Sequence, residues 1–87
     1  MAAISVSDEP SEVPGVAGTA NEYLLQNLGP DPVYVGRKAE VSDTSGLLLD
    51  VDGVLSTGNG LADRNTAGLW LVCATGGSAD VRVLRTN

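Results

Sequence analysis

Asp50 and Asp52 stand one residue apart, after the apolar run Leu47–Leu49 and before Gly53. Two carboxylates at that spacing have two chemical uses. One can act as nucleophile while the other moves a proton, or their oxygens can share a divalent cation. An EF-hand calcium loop needs oxygen ligands at positions 1, 3 and 5, Gly at 6 and Glu at 12. Counted from Asp50, positions 5, 6 and 12 hold Val54, Leu55 and Leu61, so that pattern fails. Asp63 could join Asp50 and Asp52 in a looser surface Ca²⁺ site. A turn explains the same residues more plainly: aspartates flank it, bonding their own backbone, and Gly53 supplies a positive φ.

Leu47-Leu48-Leu49-Asp50-Val51-Asp52-Gly53-Val54-Leu55-Ser56 resembles the first motif of the haloacid-dehalogenase-like phosphatases. That resemblance implies Asp50 as nucleophile with Mg²⁺ beside it, and Asp52 as acid/base. It ends with the motif. The family's chemistry needs a doubly wound α/β domain and a later lysine, whereas the 35 residues after Asp52 contain no lysine and no βα pattern. Lys38 lies upstream. Phosphoryl transfer depends on positioned positive charge, so the expectation is that the chain is not an enzyme.

Other catalytic equipment is sparse. The sequence has no histidine, which removes Ser-His and Cys-His pairs and histidine-ligated metals. Cys73 is the single cysteine, so no intrachain disulfide forms, and its place in an apolar run reads as a buried, inert thiol. Gly58-Asn59-Gly60 lacks the rest of a phosphate-binding fingerprint. No cofactor or metal is expected.

The net charge is −6, with a basic excess only after residue 52. Arg and Lys are too few to neutralise phosphates, which argues against nucleic acid and against an anionic membrane surface. The N-terminus has no signal-peptide pattern, and no run approaches the ~20 apolar residues of a membrane-spanning helix. Synthesis in the cytoplasm is expected.

The elements that must carry these residues are short apolar runs separated by turn formers: Ala3–Val6, Glu22–Leu28, Pro32–Gly36, Leu47–Val51, Gly68–Ala74 and Ala79–Leu84, with Val54–Ser56 as a further short strand. Tyr23 and Leu25 fall on one face of their run, with Leu24, Gln26 and Leu28 on the other. Gly29-Pro30-Asp31-Pro32 is a turn, making a hairpin or a corner between sheets. Arg37–Val41 could continue the strand past Gly36. Gly68–Ala74 reads as a central strand, and with Ala79–Leu84 it predicts a terminal hairpin. Residues 1–20, with Pro10, Pro14 and three acids, read as an extended arm, and residues 21–87 as the folded domain. The fold expected is all-β: a small antiparallel sandwich or barrel of six to eight short strands. Without Phe, and with Trp70, Tyr23 and Tyr34 the only aromatics, its core must be aliphatic.

Asn27-Leu28-Gly29-Pro30-Asp31-Pro32-Val33-Tyr34-Val35-Gly36, Gly68-Leu69-Trp70-Leu71-Val72-Cys73-Ala74 and Gly77-Ser78-Ala79-Asp80-Val81-Arg82-Val83-Leu84 resemble a group of small β-sandwich proteins of tailed bacteriophages. The resemblance spans about residues 21–85. It implies a non-enzymatic virion component, and of these a capsid decoration protein first: one that docks on the outer head surface and stabilises the shell. The partner would be the major capsid protein or another virion protein, and the chain would be a homo-oligomer. The alternative is a tail-tip, collar or fibre module that binds a host-surface glycan or protein through Trp70 or the 57–67 loop. Ile4, Val6 and Val13 of the arm, with Arg64, Arg82 and Arg85, are the expected interface residues.

Overall fold

The computed structural model describes residues 2–14, 23–37, 39–56 and 68–85. These form eight strands: β1 (Ala2–Val6), β2 (Ser11–Glu12), β3 (Tyr23–Pro30), β4 (Val33–Gly36), β5 (Leu47–Leu49), β6 (Val54–Ser56), β7 (Trp70–Val72) and β8 (Ala79–Arg85). They build two four-stranded sheets whose pairs are all antiparallel. The first has the order β1-β8-β3-β6, the second β2-β7-β4-β5. The expectation of an all-β fold therefore holds, and no helix occurs among the described residues.

Alternation along each strand explains why the sheets stack. Tyr23, Leu25 and Asn27 of β3 are buried while Gln26 and Leu28 are exposed, and β8 buries Ala79, Val81 and Val83. A two-residue period sends alternate side chains to opposite faces. The second sheet answers with Val33 and Val35 from β4, Leu49 from β5, Leu71 from β7, and Leu69 and Cys73 at the two ends of β7. Leu25 and Leu71 are wholly enclosed. With no Phe to fill space, these aliphatic side chains from both sheets make the core.

The segment read as an arm is part of the sandwich over its described residues. β1 lies along β8 in continuous register from Ala2 opposite Val83 to Val6 opposite Ala79. β2 pairs with β7, and the Val13 amide donates to the Leu69 carbonyl. Pro10 and Pro14 flank this stretch, where a missing N–H breaks no ladder bond. The domain thus begins before residue 21. Val6 and Val13, expected at an interface, are 2% and 1% exposed and belong to the chain's own core.

The predicted terminal hairpin does not form. β7 is interior to the second sheet and β8 interior to the first, so Ala74–Ser78 carries the chain between sheets. Two aspartates hold that crossing: Asp8 Oδ2 accepts from the Gly76 amide at 3.0 Å and Asp31 Oδ2 from the Ser78 amide at 2.9 Å. β8 already pairs with β1 and β3 on its two sides, leaving β7 no place beside it. β3 and β4 likewise turn a corner rather than forming a hairpin. Nor does β4 run on past Gly36. The chain turns at Ala39–Glu40, and Val41 folds back onto Gly36 and Gly46, where an added Cβ would lie within 2.8 Å of its side chain.

Candidate functional site

The Asp50–Gly53 turn joins β5 of one sheet to β6 of the other, and a buried asparagine determines its shape. Asn27 is 0% exposed. Its Nδ2 donates to the carbonyls of Leu49 and Asp31, both at 3.0 Å, and its Oδ1 accepts from the Gly29 amide at 2.8 Å. Its backbone accepts from the Asp52 amide at 2.7 Å and donates to the Gly53 carbonyl at 3.1 Å. One side chain thus ties together β3, the β3–β4 corner and the end of β5. Both amide hydrogens are used, so burial leaves nothing unsatisfied.

Both aspartates serve this turn, Asp50 through its carboxylate and Asp52 through its backbone. Asp50 Oδ1 accepts from the Val51 amide at 2.8 Å, and the Gly53 amide donates to the Asp50 carbonyl at 2.8 Å. Positive φ falls on Asp52, at 65°, and not on Gly53 as expected. Asp tolerates that region better than most residues. Gly53 is required for a different reason: an added Cβ would sit 2.8 Å from the Asp50 carbonyl oxygen. Among the described residues, no three His, Cys, Asp or Glu side chains gather as metal ligands. Asp63, the third carboxylate of the sequence reading, lies outside the described residues.

Cys73 faces the core. Burial pushes its thiol pKa up, and the Asp31 and Asp8 carboxylates push it the same way. Such a thiol is protonated and poorly nucleophilic at neutral pH.

The least ordinary surface is apolar. Leu47 and Leu48 on β5 are 68% and 58% exposed, and Val54 on β6 is 55% exposed. β5 and β6 are edge strands of different sheets joined by the Asp50–Gly53 turn, so these residues lie along one edge of the sandwich, Leu48 on the outer face of the second sheet opposite Tyr34 and Val54 on the outer face of the first opposite Gln26. Leu28 of β3 and Val51 within the turn are also exposed. Leu47 further lines a cleft of about 140 Å³ with Val35, Leu55 and Leu69 at its floor and walls.

The expected interface residues do not form one patch. Ile4 is half-buried on β1 against the core. Arg82 is exposed on the outer face of the first sheet, 3.2 Å from Asp80 on its own strand. Arg85 is exposed at the end of β8, and Arg64 lies outside the described residues. Trp70 is half-buried on the outward side of β7, opposite Gly36; the 57–67 loop named with it is not described. The sequence reading missed two features. Asn27 follows from carrying the Tyr23–Leu25 alternation one step further. Leu47–Leu49 was visible as three leucines in a row, which on any strand must leave one outside.

Comparison with protein-family models, with curated proteins and with solved structures finds no match for this chain.

Proposed function

We propose that this chain is a non-enzymatic structural protein that docks on a larger assembly, and that the assembly is a bacteriophage particle. Within it, the role proposed is capsid decoration: binding across neighbouring shell subunits so that binding free energy opposes shell opening. The observation that carries docking is the exposure of Leu47, Leu48 and Val54 along the β5–β6 edge of so small a sandwich. Leucines left in water on an edge strand mark a surface that another protein covers. The phage assignment rests on the resemblance of residues 21–85.

The geometry of the Asp50–Gly53 turn supports a role without catalysis. Asp50 spends an oxygen on its own turn, and the local hydrogen bonds close around Asn27. The motif shared with the phosphatases has a structural cause here.

The test is shell stability. Particles lacking the chain should open at lower temperature and under milder osmotic shock, and purified chain added back should restore them. Leu47→Ser with Leu48→Ser should fold normally and fail to restore. Equal survival with and without the chain would sink the reading.

A further inference from the structure

We propose that β1 is a self-pairing edge: two copies of this chain join β1 to β1 antiparallel across a two-fold axis at Ile4, fusing their first sheets into one eight-stranded sheet. This deepens the homo-oligomer expectation, and it stands apart from the phage reading.

Edge strands invite pairing with another chain, and proteins ordinarily block them with short strands, Pro, charge or bulges. Among the described residues, three of the four sheet edges are blocked. β2 is two residues long, carries Glu12, and lies between Pro10 and Pro14. β5 has three residues, and its Leu49 carbonyl already accepts from Asn27. β6 also has three and begins just past Asp52 and Gly53. β1 differs on every count: five residues, no Pro, no charge, and unbroken register with β8. In a chain of net charge −6, an uncharged edge is where self-association meets least repulsion.

The register follows from the two faces of the strand. Opposed residues in an antiparallel pair point to the same face. Centring the axis on Ile4 sets Ile4 against the partner's Ile4, and Ala3 against the partner's Ser5. It overlaps all five residues and matches core side with core side and outer side with outer side. A shift by one residue would set core side against outer side.

The neighbouring strand adds no unpaired charge beside the joint. Ala3 lies beside Arg82 and Ser5 beside Asp80 in the β1–β8 register. Arg82 and Asp80 already pair with each other at 3.2 Å on β8, so the charges nearest the edge cancel within each copy. Ile4, half-buried in one copy, is covered by its counterpart. The interface is small, below about 1,200 Å², which is the range of weak association that high local concentration completes.

Sedimentation equilibrium of the full chain should show a monomer–dimer equilibrium. Ala3→Lys with Ser5→Lys changes two exposed side chains and sets like charges directly opposite each other twice. It should weaken the dimer at least about tenfold with the circular dichroism spectrum unchanged. Register is read by Ile4→Cys, whose thiols should cross-link on oxidation with diamide. Ser5→Cys, which faces Ala3, should not. A chain that stays monomeric to about 1 mM overturns the proposal. So does a dimer indifferent to the paired lysines, and cross-linking by Ser5→Cys in place of Ile4→Cys overturns the register. A monomer that still decorates particles would overturn this pairing alone.

Discussion

Asn27 and the pair Leu47–Leu48 are opposite departures from the ordinary distribution of residues, and they meet on one three-residue strand. Asn27 is polar and fully enclosed; Leu47 and Leu48 are apolar and open to solvent. The Leu49 carbonyl, next in the chain, is where they meet, because it accepts from Asn27 Nδ2. The buried amide is accounted for within the molecule, every donor and acceptor matched. Among the described residues, nothing covers the exposed leucines. One departure belongs to stability; the other is the surface that the proposed docking would cover. Mutation should therefore separate them cleanly.

The largest effect should come from Asn27→Leu. It strands the Gly29 amide and the Leu49 carbonyl in a buried site and removes the partner of the part-buried Asp31 carbonyl, where each unpaired buried group costs about 1–3 kcal/mol. A loss of about 3 kcal/mol or more in urea unfolding is expected, a large part of a small domain's stability. A change below about 1 kcal/mol would mean that the hydrogen bonds are replaced by water.

Gly53→Ala comes next. The added methyl meets the Asp50 carbonyl at 2.8 Å, so the turn must shift, at about 1–3 kcal/mol. Asp50→Asn should then be mild, within about 0.5 kcal/mol, because the amide oxygen can still accept from the Val51 amide. If that substitution proved as severe as Gly53→Ala, the Asp50 carboxylate would have a role beyond the turn.

Leu47→Ser with Leu48→Ser sharpens the contrast from the other end. Both side chains are already solvated, so stability should move by less than about 0.5 kcal/mol while binding to partner surfaces falls. A marked loss of stability would instead place these leucines in the chain's own packing.

The smallest effect is that of pH on Cys73. Burial and the nearby carboxylates raise its pKa in the folded chain above the ordinary 9.0. The unfolded chain therefore releases the thiol proton first. The contribution is whole below pH 9.0 and is lost as pH climbs through the folded value. Cys73→Ala should lose less stability than the parent chain between neutral and alkaline pH. Identical slopes would contradict the burial argument.

Much of the architecture was legible from alternation. Tyr23-Leu25 and Val81-Val83 announce their inward faces because a strand's period is two, and glycine and proline mark the ends. What alternation does not carry is partnership between sheets. β7 and β8 look like a hairpin because a short glycine-rich turn separates them; only β8's pairing with β1 and β3 on both sides forbids it. The arm was misread for a related reason. Pro10 and Pro14 argue against a strand through them, yet a two-residue pairing fits between. Asp50 and Asp52 looked like chemistry because the sequence shows their spacing and hides Asn27, whose partners lie 4 and 22 residues away.

Docking as proposed requires that a partner cover the edge of the sandwich that bears Leu47 and Leu48. The most direct measurement is quantitative mass spectrometry of gradient-purified phage particles made by cells expressing this gene in its native setting. Decoration requires the chain on the particle in amounts comparable with the major capsid protein. A few copies per particle would contradict decoration and point to the collar or tail, and absence from the particle would contradict the structural role itself.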